Sequence, residues 1–471
     1  MRIALTSYRS LPHGGGQGIY VRHLSRALVA QGHSVEVFSG PPYPVLDDGV
    51  ALTRIPSLDL YREPDPFRTP ALSELRDFVD VEEVLTMRAG GFPEPRTFSL
   101  RVARALAERR DEFDVVHDNQ TLGPGLLDVA SFLPVVTTVH HPITVDRRVE
   151  VEAASGSRRW SLRRWYGFVG MQGVVARRSE VLLCPSESAA ADVVRDFRVE
   201  PGRVRVVPLG VEERFRPPTT DRVPDRVVAL ASADAPMKGV ATLLEAAALL
   251  RAEGRRLDLV LVCRPRPGGP TERLVDRLGL HDVVRFVHGL SDDDLVALMG
   301  SAAVGCVPSW YEGFSLPTAE LMACATPLVV SDAGAIPEVV GEPGECADLV
   351  PPRDHHALAR ALGALLDDPG RAARMGAAGR RRAEERYGWG AVARATAAVH
   401  AEAVERWRAG ARPAHVRARP LVPTRLTVGR ALRPEPGRSP RPTPAAATVP
   451  QAPHDTAAPV PVPQEDDRAH R

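Results

Sequence analysis

The stretch Pro308–Gly341 reads PSWYEGFSLPTAELMACATPLVVSDAGAIPEVVG, and its reading decides the fold. Just ahead of it, Ala303–Val307 is a short apolar run that fits a buried strand. A polar loop follows over Ser309–Ser315 and carries Glu312, Gly313 and Phe314. Pro317 suits the first position of a helix, where a missing N–H costs nothing. Leu321 and Met322 then fall at core positions, Leu328–Val330 reads as a second buried strand, and Pro337 can open another helix. Strands alternating with helices in this way imply a parallel sheet.

Two carboxylates, Glu312 and Glu320, stand eight positions apart. The spacing puts Glu312 on the loop and Glu320 in the first helical turn. Both then face the crevice beyond a strand's carboxyl end, where open α/β sheets bind ligands. The free N–H groups of the helix can hold a phosphate, and the carboxylates can accept hydrogen bonds from hydroxyls. Phosphate at one and polyol at the other describes a nucleotide sugar. For Glu320 alone, an acid favoured by the helix dipole is the better account. The whole string resembles the E-x7-E region of retaining GT-B glycosyltransferases of the large family 4 type. The resemblance runs from about Met1 to Trp407.

Length and composition agree with two cores. The chain has 471 residues, 44% of them hydrophobic, which is too long for one ordinary domain. The resemblance implies an α/β GT-B fold of two Rossmann-like domains with a cleft between them. Residues 1–215 would form the acceptor-side domain and 216–387 the donor domain. Residues 388–409 would form a helix crossing back onto the first. The remaining 410–471 holds thirteen prolines and no periodicity, so it should be disordered. A formal net charge of +1 argues against a nucleic-acid partner. No apolar run approaches a membrane span and the first residues do not read as a signal peptide, so a cytoplasmic location is expected. The five cysteines show no metal-ligand spacing and read as buried thiols.

One bias is sharper. Lys and Arg total 60, yet Lys238 is the only lysine, and Asn119 is the only asparagine. A lone survivor of such a bias is a candidate for a site that needs its side chain, although chance survival accounts for it too. Lysine offers a compact ammonium that arginine does not reproduce.

Along the chain, Arg2–Tyr8 is a strand, followed by a loop with Gly14, Gly15, Gly16 and Gly18 and a helix marked by Val21, Leu24 and Leu28. The third glycine of a dinucleotide fingerprint is missing. A flexible turn is one reading. The resemblance implies another, in which Gly15 and Gly16 lie against the donor's phosphates and the acceptor. Phe113–His117 is a strand that delivers His117, Asp118 and Asn119 to its end, and Val135–Val139 delivers His140 and His141. A core histidine is the usual reading of such a residue, but two neighbouring strands ending in polar clusters favour a site. His140 matches a histidine that related enzymes place beside the reacting sugar. Arg147–Arg178 carries four arginine pairs among Trp160, Trp165, Tyr166, Phe168 and Met171. It reads as a solvated basic face over a core stripe, or as a surface for anionic lipid at the inner face of the membrane or for a phosphorylated acceptor. Ser291–Asp294 reads as a helix cap rather than a metal site.

Ser232–Lys238 follows the first strand of the second domain. The resemblance implies an arginine and a lysine six positions apart that stabilise the leaving diphosphate. Lys238 matches the lysine, and Ser232 stands where the arginine is usual. Arg264 is a candidate substitute. The function implied is transfer of a sugar from a nucleotide-diphosphate sugar to a hydroxyl acceptor, lipid or glycan, with retention and without a metal or other cofactor. Glu312 would position the sugar, Glu320 the ribose, and Gly313, Phe314, Ser315 and Leu316 would present backbone groups. Lys238 would stabilise the diphosphate, and Asn119 and His140 would orient sugar and acceptor. The alternatives are a pyridoxal-dependent phosphorylase, an epimerase or hydrolase on the same fold, and a non-catalytic sugar- or lipid-binding protein.

Overall fold

The computed structural model describes residues 1–11, 16–62 and 64–411. Gly15 and the proline-rich tail from residue 412 lie outside the described residues. Among the described residues, thirteen strands form two sheets. The first uses β1 (Arg2–Ser7), β2 (Ser34–Ser39), β3 (Ala51–Arg54), β4 (Val115–Asn119), β5 (Val135–Thr138), β6 (Val181–Cys184) and β7 (Val204–Val206) in the order β3-β2-β1-β4-β5-β6-β7. The second uses β8 (Val223–Leu230), β9 (Asp258–Val262), β10 (Val284–Val287), β11 (Ala302–Val307), β12 (Leu328–Ser331) and β13 (Ala347–Val350) in the order β10-β9-β8-β11-β12-β13. All pairs within both sheets are parallel. Both therefore have the doubly wound order whose direction reverses beside the first strand. The two α/β units make a GT-B fold.

The sheets are apolar on both faces because helices cover both. In the first, Ile3, Leu5, Val37, Val115 and Val136 meet Val21, Leu24 and Leu28 of the helix Gly16–Ala30. The last helix, Trp389–Arg408, returns to the same core through Trp389, Val392 and Ala393. Its His400 bonds the buried His117 ring at 3.0 Å. In the second, Val227, Ala229, Leu259, Leu261, Val304 and Cys306 pack against Leu243, Leu244, Leu250 and Leu358. Among the described residues no helix is long and apolar enough to cross a membrane.

Several boundaries differ from the sequence reading. β4 starts two residues late and runs on to Asn119, so His117, Asp118 and Asn119 are strand residues with no exposed surface. The cause is Asp118, which takes a hydrogen bond from the hydroxyl of Thr6 on β1 and two from the N–H groups of Thr121 and Leu122. The helix before β4 is Glu94–Glu108. Between β3 and that helix lie a single turn, Leu72–Glu74, and a helix, Phe78–Arg88, started by Asp77 accepting from two N–H groups. The arginine-paired segment is three helices, Thr144–Ala153, Gly156–Trp165 and Gly167–Ala176. β8, the first strand of the second domain, begins at Val223.

Candidate active site

Each sheet changes winding direction beside its first strand, and the loops leaving those strands on the two sides of that point frame a crevice. In the second sheet the two loops are the one after β8, which carries Ser232 and Lys238, and the one after β11, which carries Glu312. Their side chains meet. Lys238 Nζ donates to both oxygens of Glu312, at 2.9 and 3.2 Å, and the Ser309 hydroxyl donates to Glu312 Oε1 at 2.7 Å. The backbones are tied as well, since Trp310 N–H donates to the Met237 carbonyl at 2.8 Å. Lys238 closes a single 3-10 turn, Pro236–Lys238, and left-handed Gly239 separates it from the helix Val240–Ala252. It thus precedes the long helix by two residues instead of starting it. The pair is half-buried, Glu312 more so than Lys238. A half-open ammonium on a fixed carboxylate can turn to an incoming phosphate without losing its place.

The helix after the loop is Leu316–Ala323, so Pro317 is its second residue and Glu320 its fifth. Glu320 therefore lies past the first turn, where the dipole account of an acid is weakest. The early start follows from Ser315, held in a left-handed conformation (φ 81°) with its hydroxyl 2.8 Å from Thr318 Oγ1. Non-glycine residues keep such a backbone where the surroundings over-determine it, often at functional sites. No side chain caps this helix, so the Leu316 and Thr318 N–H groups remain available to an anion. Phe314 is buried on Tyr387 and Gly313 faces the other domain. Ser232 gives its carbonyl to Ala235 N–H at 3.2 Å. Arg264, just beyond β9, is exposed.

Burial pushes the Glu320 carboxyl up to about 7, and the charge of Glu212 adds to this, while Arg214 opposes it. Ionising Glu320 in the folded protein therefore costs stability. The loss begins above the ordinary value of 4.5 and is complete once pH has passed about 7. Glu320→Gln removes that term. The variant should melt with the parent at acid pH and above it at neutral pH, by up to about 3 kcal/mol of stability. Melting curves of the two proteins across this range check it, and a constant offset at every pH would refute it.

From the first sheet, β4 and β5 bring Asn119 and His140 together, with His140 Nε2 2.8 Å from Asn119 Oδ1. The amide nitrogen of Asn119 faces Ser7 Oγ at 3.4 Å and the Gln17 carbonyl at 3.5 Å, so its oxygen is the acceptor and His140 donates from Nε2. Tyr20 stands edge-on to the His140 ring at 4.7 Å. His141 pairs with Asp146 at 3.2 Å. Burial raises the Asp146 carboxyl, but His141 and then Lys238 outweigh it and hold the group below its ordinary value. Lys238 thus acts electrostatically on the first domain too. Gly16 opens its helix at the end of the glycine loop.

The sequence reading missed the contacts that join the halves. The Tyr311 hydroxyl donates to Asp192 at 2.6 Å, and Ser186 donates to the Gly313 carbonyl at 2.7 Å. Glu338 caps the helix Glu187–Phe197 from the other domain, accepting from the N–H groups of Glu187 and Ser188, each at 2.7 Å. All three reach the first half of the helix Glu187–Phe197 or its cap, two from the loop after β11 and one from the helix Ile336–Val340. Ser186 in front of a helical run was a legible cap signal; nothing in the sequence pointed to its second role. Ser291 accepts from Asp294 N–H and caps its helix, as read. Among the described residues no three His, Cys, Asp or Glu side chains converge to hold a metal ion.

Comparison with known proteins bears on this site. The family described as Glycosyltransferase Family 4 matches residues 14–215, and that described as Glycosyl transferases group 1 matches residues 211–382. The chain is 57% identical to an MMP alpha-(1->4)-mannosyltransferase of Mycolicibacterium hassiacum, over 86% of this chain and 99% of that one. It is 31% identical to a D-inositol 3-phosphate glycosyltransferase of Xylanimonas cellulosilytica, over 86% of this chain and 97% of that one. Among solved structures it resembles sucrose-phosphate synthase from Thermosynechococcus elongatus, with a TM-score of 0.66, 25% identity, and coverage of 85% and 98%.

Proposed function

The chain belongs to the family 4 type of GT-B glycosyltransferases, and from that premise we propose that it moves a mannosyl unit from a nucleotide-diphosphate sugar to the C4 hydroxyl of a saccharide acceptor, with retention and without a metal ion. The observation that carries the mannosyl reading is the 57% identity to an alpha-(1->4)-mannosyltransferase over 99% of its length. An α-(1→4) product fixes the accepting oxygen as O4.

The site supplies a part for each step. The diphosphate lies across the switch point of the second sheet, held by Lys238 and by the uncapped N–H groups of the helix Leu316–Ala323. Glu312 accepts from sugar hydroxyls and Glu320 from the ribose. As the C1–O bond to the diphosphate lengthens, charge collects on the leaving group and the fixed ammonium stabilises it. The acceptor O4 attacks C1 on the same face, and the departing phosphate oxygen takes its proton. His140 donates from Nε2 and so cannot take that proton there; with Asn119 it orients sugar and acceptor.

The test is incubation of purified protein with a panel of nucleotide sugars and a short α-(1→4)-mannoside, with the product read by NMR. A new α-linked mannose at O4, formed equally well in chelator, is expected. A β-linked product would remove retention, and failure in chelator restored by a divalent ion would remove metal independence. Turnover of another sugar in preference to mannose would overturn the donor assignment. Release of free sugar at the same rate with and without acceptor would favour a hydrolase.

A further inference from the structure

The large hydrophobic side chains that stand exposed are not scattered. The four most exposed among the described residues are Leu72 (85%), Phe78 (72%), Trp160 (63%) and Leu85 (62%), and all four belong to the first domain. Phe78 and Leu85 lie seven residues apart on the helix Phe78–Arg88, which puts them on one stripe. Leu72 is in the turn leading into that helix. Trp160, on the helix Gly156–Trp165, is joined to the same helix by Arg164. The Arg164 guanidinium lies 4.8 Å over the Trp160 ring, and its Nε donates to the Ala89 carbonyl at the end of Phe78–Arg88. Trp165, which the sequence placed in this cluster, is buried and contributes nothing to the surface.

The rim is basic. Arg88, Arg158, Arg159 and Arg163 are exposed and are in no ion pair among the described residues. The acids in and just before the helix Phe78–Arg88 are held: Glu74 by Arg68, Asp77 by Arg104, Asp80 by Arg101, and Glu82 by Arg96, while Glu152 stands exposed ahead of the helix Gly156–Trp165. A second copy on a two-fold axis would set four exposed arginines against four, more than the nearby exposed Glu152 offsets, which costs affinity. An anionic bilayer has the opposite charge and an apolar layer just beneath it.

We propose that this face docks on an anionic lipid surface. Phe78, Leu85, Leu72 and Trp160 enter the boundary between headgroups and acyl chains, and Arg88, Arg158, Arg159 and Arg163 meet the lipid phosphates. The docked side belongs to the domain that carries Asn119 and His140. The inference does not rest on the identity of the sugar transferred.

The test uses the full chain in co-sedimentation with vesicles of phosphatidylcholine alone and of phosphatidylcholine mixed equally with phosphatidylglycerol. Binding to the mixed vesicles, weakened by salt, is expected. Phe78→Ser with Leu85→Ser should weaken it at least about tenfold, and Arg159→Glu with Arg163→Glu about a hundredfold. Donor turnover with a soluble acceptor should stay at the parent level in each, which separates this surface from the transferase site. Should the Phe78/Leu85 variant lose its fold, Trp160→Ala on the other helix gives the same readout. Equal binding to both vesicle types at every salt concentration, or unchanged binding in the variants, overturns the proposal. A lipid-free dimer that dissociates in the Phe78/Leu85 variant assigns the face to a second copy and overturns it as well.

Discussion

Lys238→Arg should fold like the parent and turn over about a hundredfold to a thousandfold more slowly, the usual cost of losing one group that stabilises developing charge. The charge is kept, so the effect must come from shape. Nζ sits between two carboxylate oxygens of Glu312 at 2.9 and 3.2 Å, at the end of a turn tied to the Glu312 loop through Trp310 and Met237. A planar guanidinium would satisfy Glu312 in a side-by-side fork, as arginine does with carboxylates. That satisfaction is the difficulty, because a group locked onto Glu312 is not offered to the diphosphate. The loss should therefore fall on kcat, with a smaller change in donor affinity. Lys238→Ala should be at least as slow. Ser232→Arg in the Lys238→Ala background should recover part of the rate if the usual arginine position still faces the phosphates. The measurement is donor consumption with acceptor beside a melting curve. Parent-level turnover of Lys238→Arg would mean that the lone lysine is an accident of composition and that Arg264 or backbone N–H groups hold the phosphates.

The fold was legible because its signals are local. The apolar runs 303–307 and 328–330 lie within a residue of β11 and β12, and the loop between them is where it was expected. Lys238 and Glu312 could each be singled out in the sequence, one as the sole lysine and the other as half of a motif. Their contact was not, since 74 positions separate them and only the winding of the sheet brings them together. Strand ends were misread where a side chain set them. β4 outlasts its apolar run because Asp118 finds partners on β1 and in the next turn. The cross-domain cap by Glu338 left no trace at all, because an acid near a helix start looks the same whichever helix it serves. Arginine pairs and tryptophans could be seen in the sequence, but whether a given ring faces solvent depends on the packing of three helices, and Trp160 and Trp165 came out opposite.

Gly239→Ala should be the most damaging single methyl in the second domain. Gly239 has φ +66°, and a Cβ there would lie 1.9 Å from the carbonyl oxygen of Pro308. Two costs add. A left-handed backbone with a Cβ is unfavourable by about 1–2 kcal/mol, and forcing atoms into a filled space costs about 1–3 kcal/mol more. The two can be separated with Gly254→Ala, which has φ +80° and nothing within 4 Å of its new methyl, so it carries the first cost alone. Gly239→Ala should thus melt well below Gly254→Ala, and that gap measures the clash. The functional reason for the contact lies in its neighbours. Gly239 directly follows Lys238, and Pro308 opens the loop that carries Ser309, Trp310, Tyr311 and Glu312. A glycine is what lets the two loops touch backbone to backbone, so that Nζ and the carboxylate arrive within 3 Å of each other. Relief of the clash must push those loops apart. Turnover should then fall by more than the melting temperature alone would account for, even at temperatures where the variant is fully folded. Gly254→Ala should keep parent-level turnover at those same temperatures. If the two alanine variants melt together and turn over alike, the loops are not held by this contact, and the Lys238–Glu312 pair is set by their side chains alone.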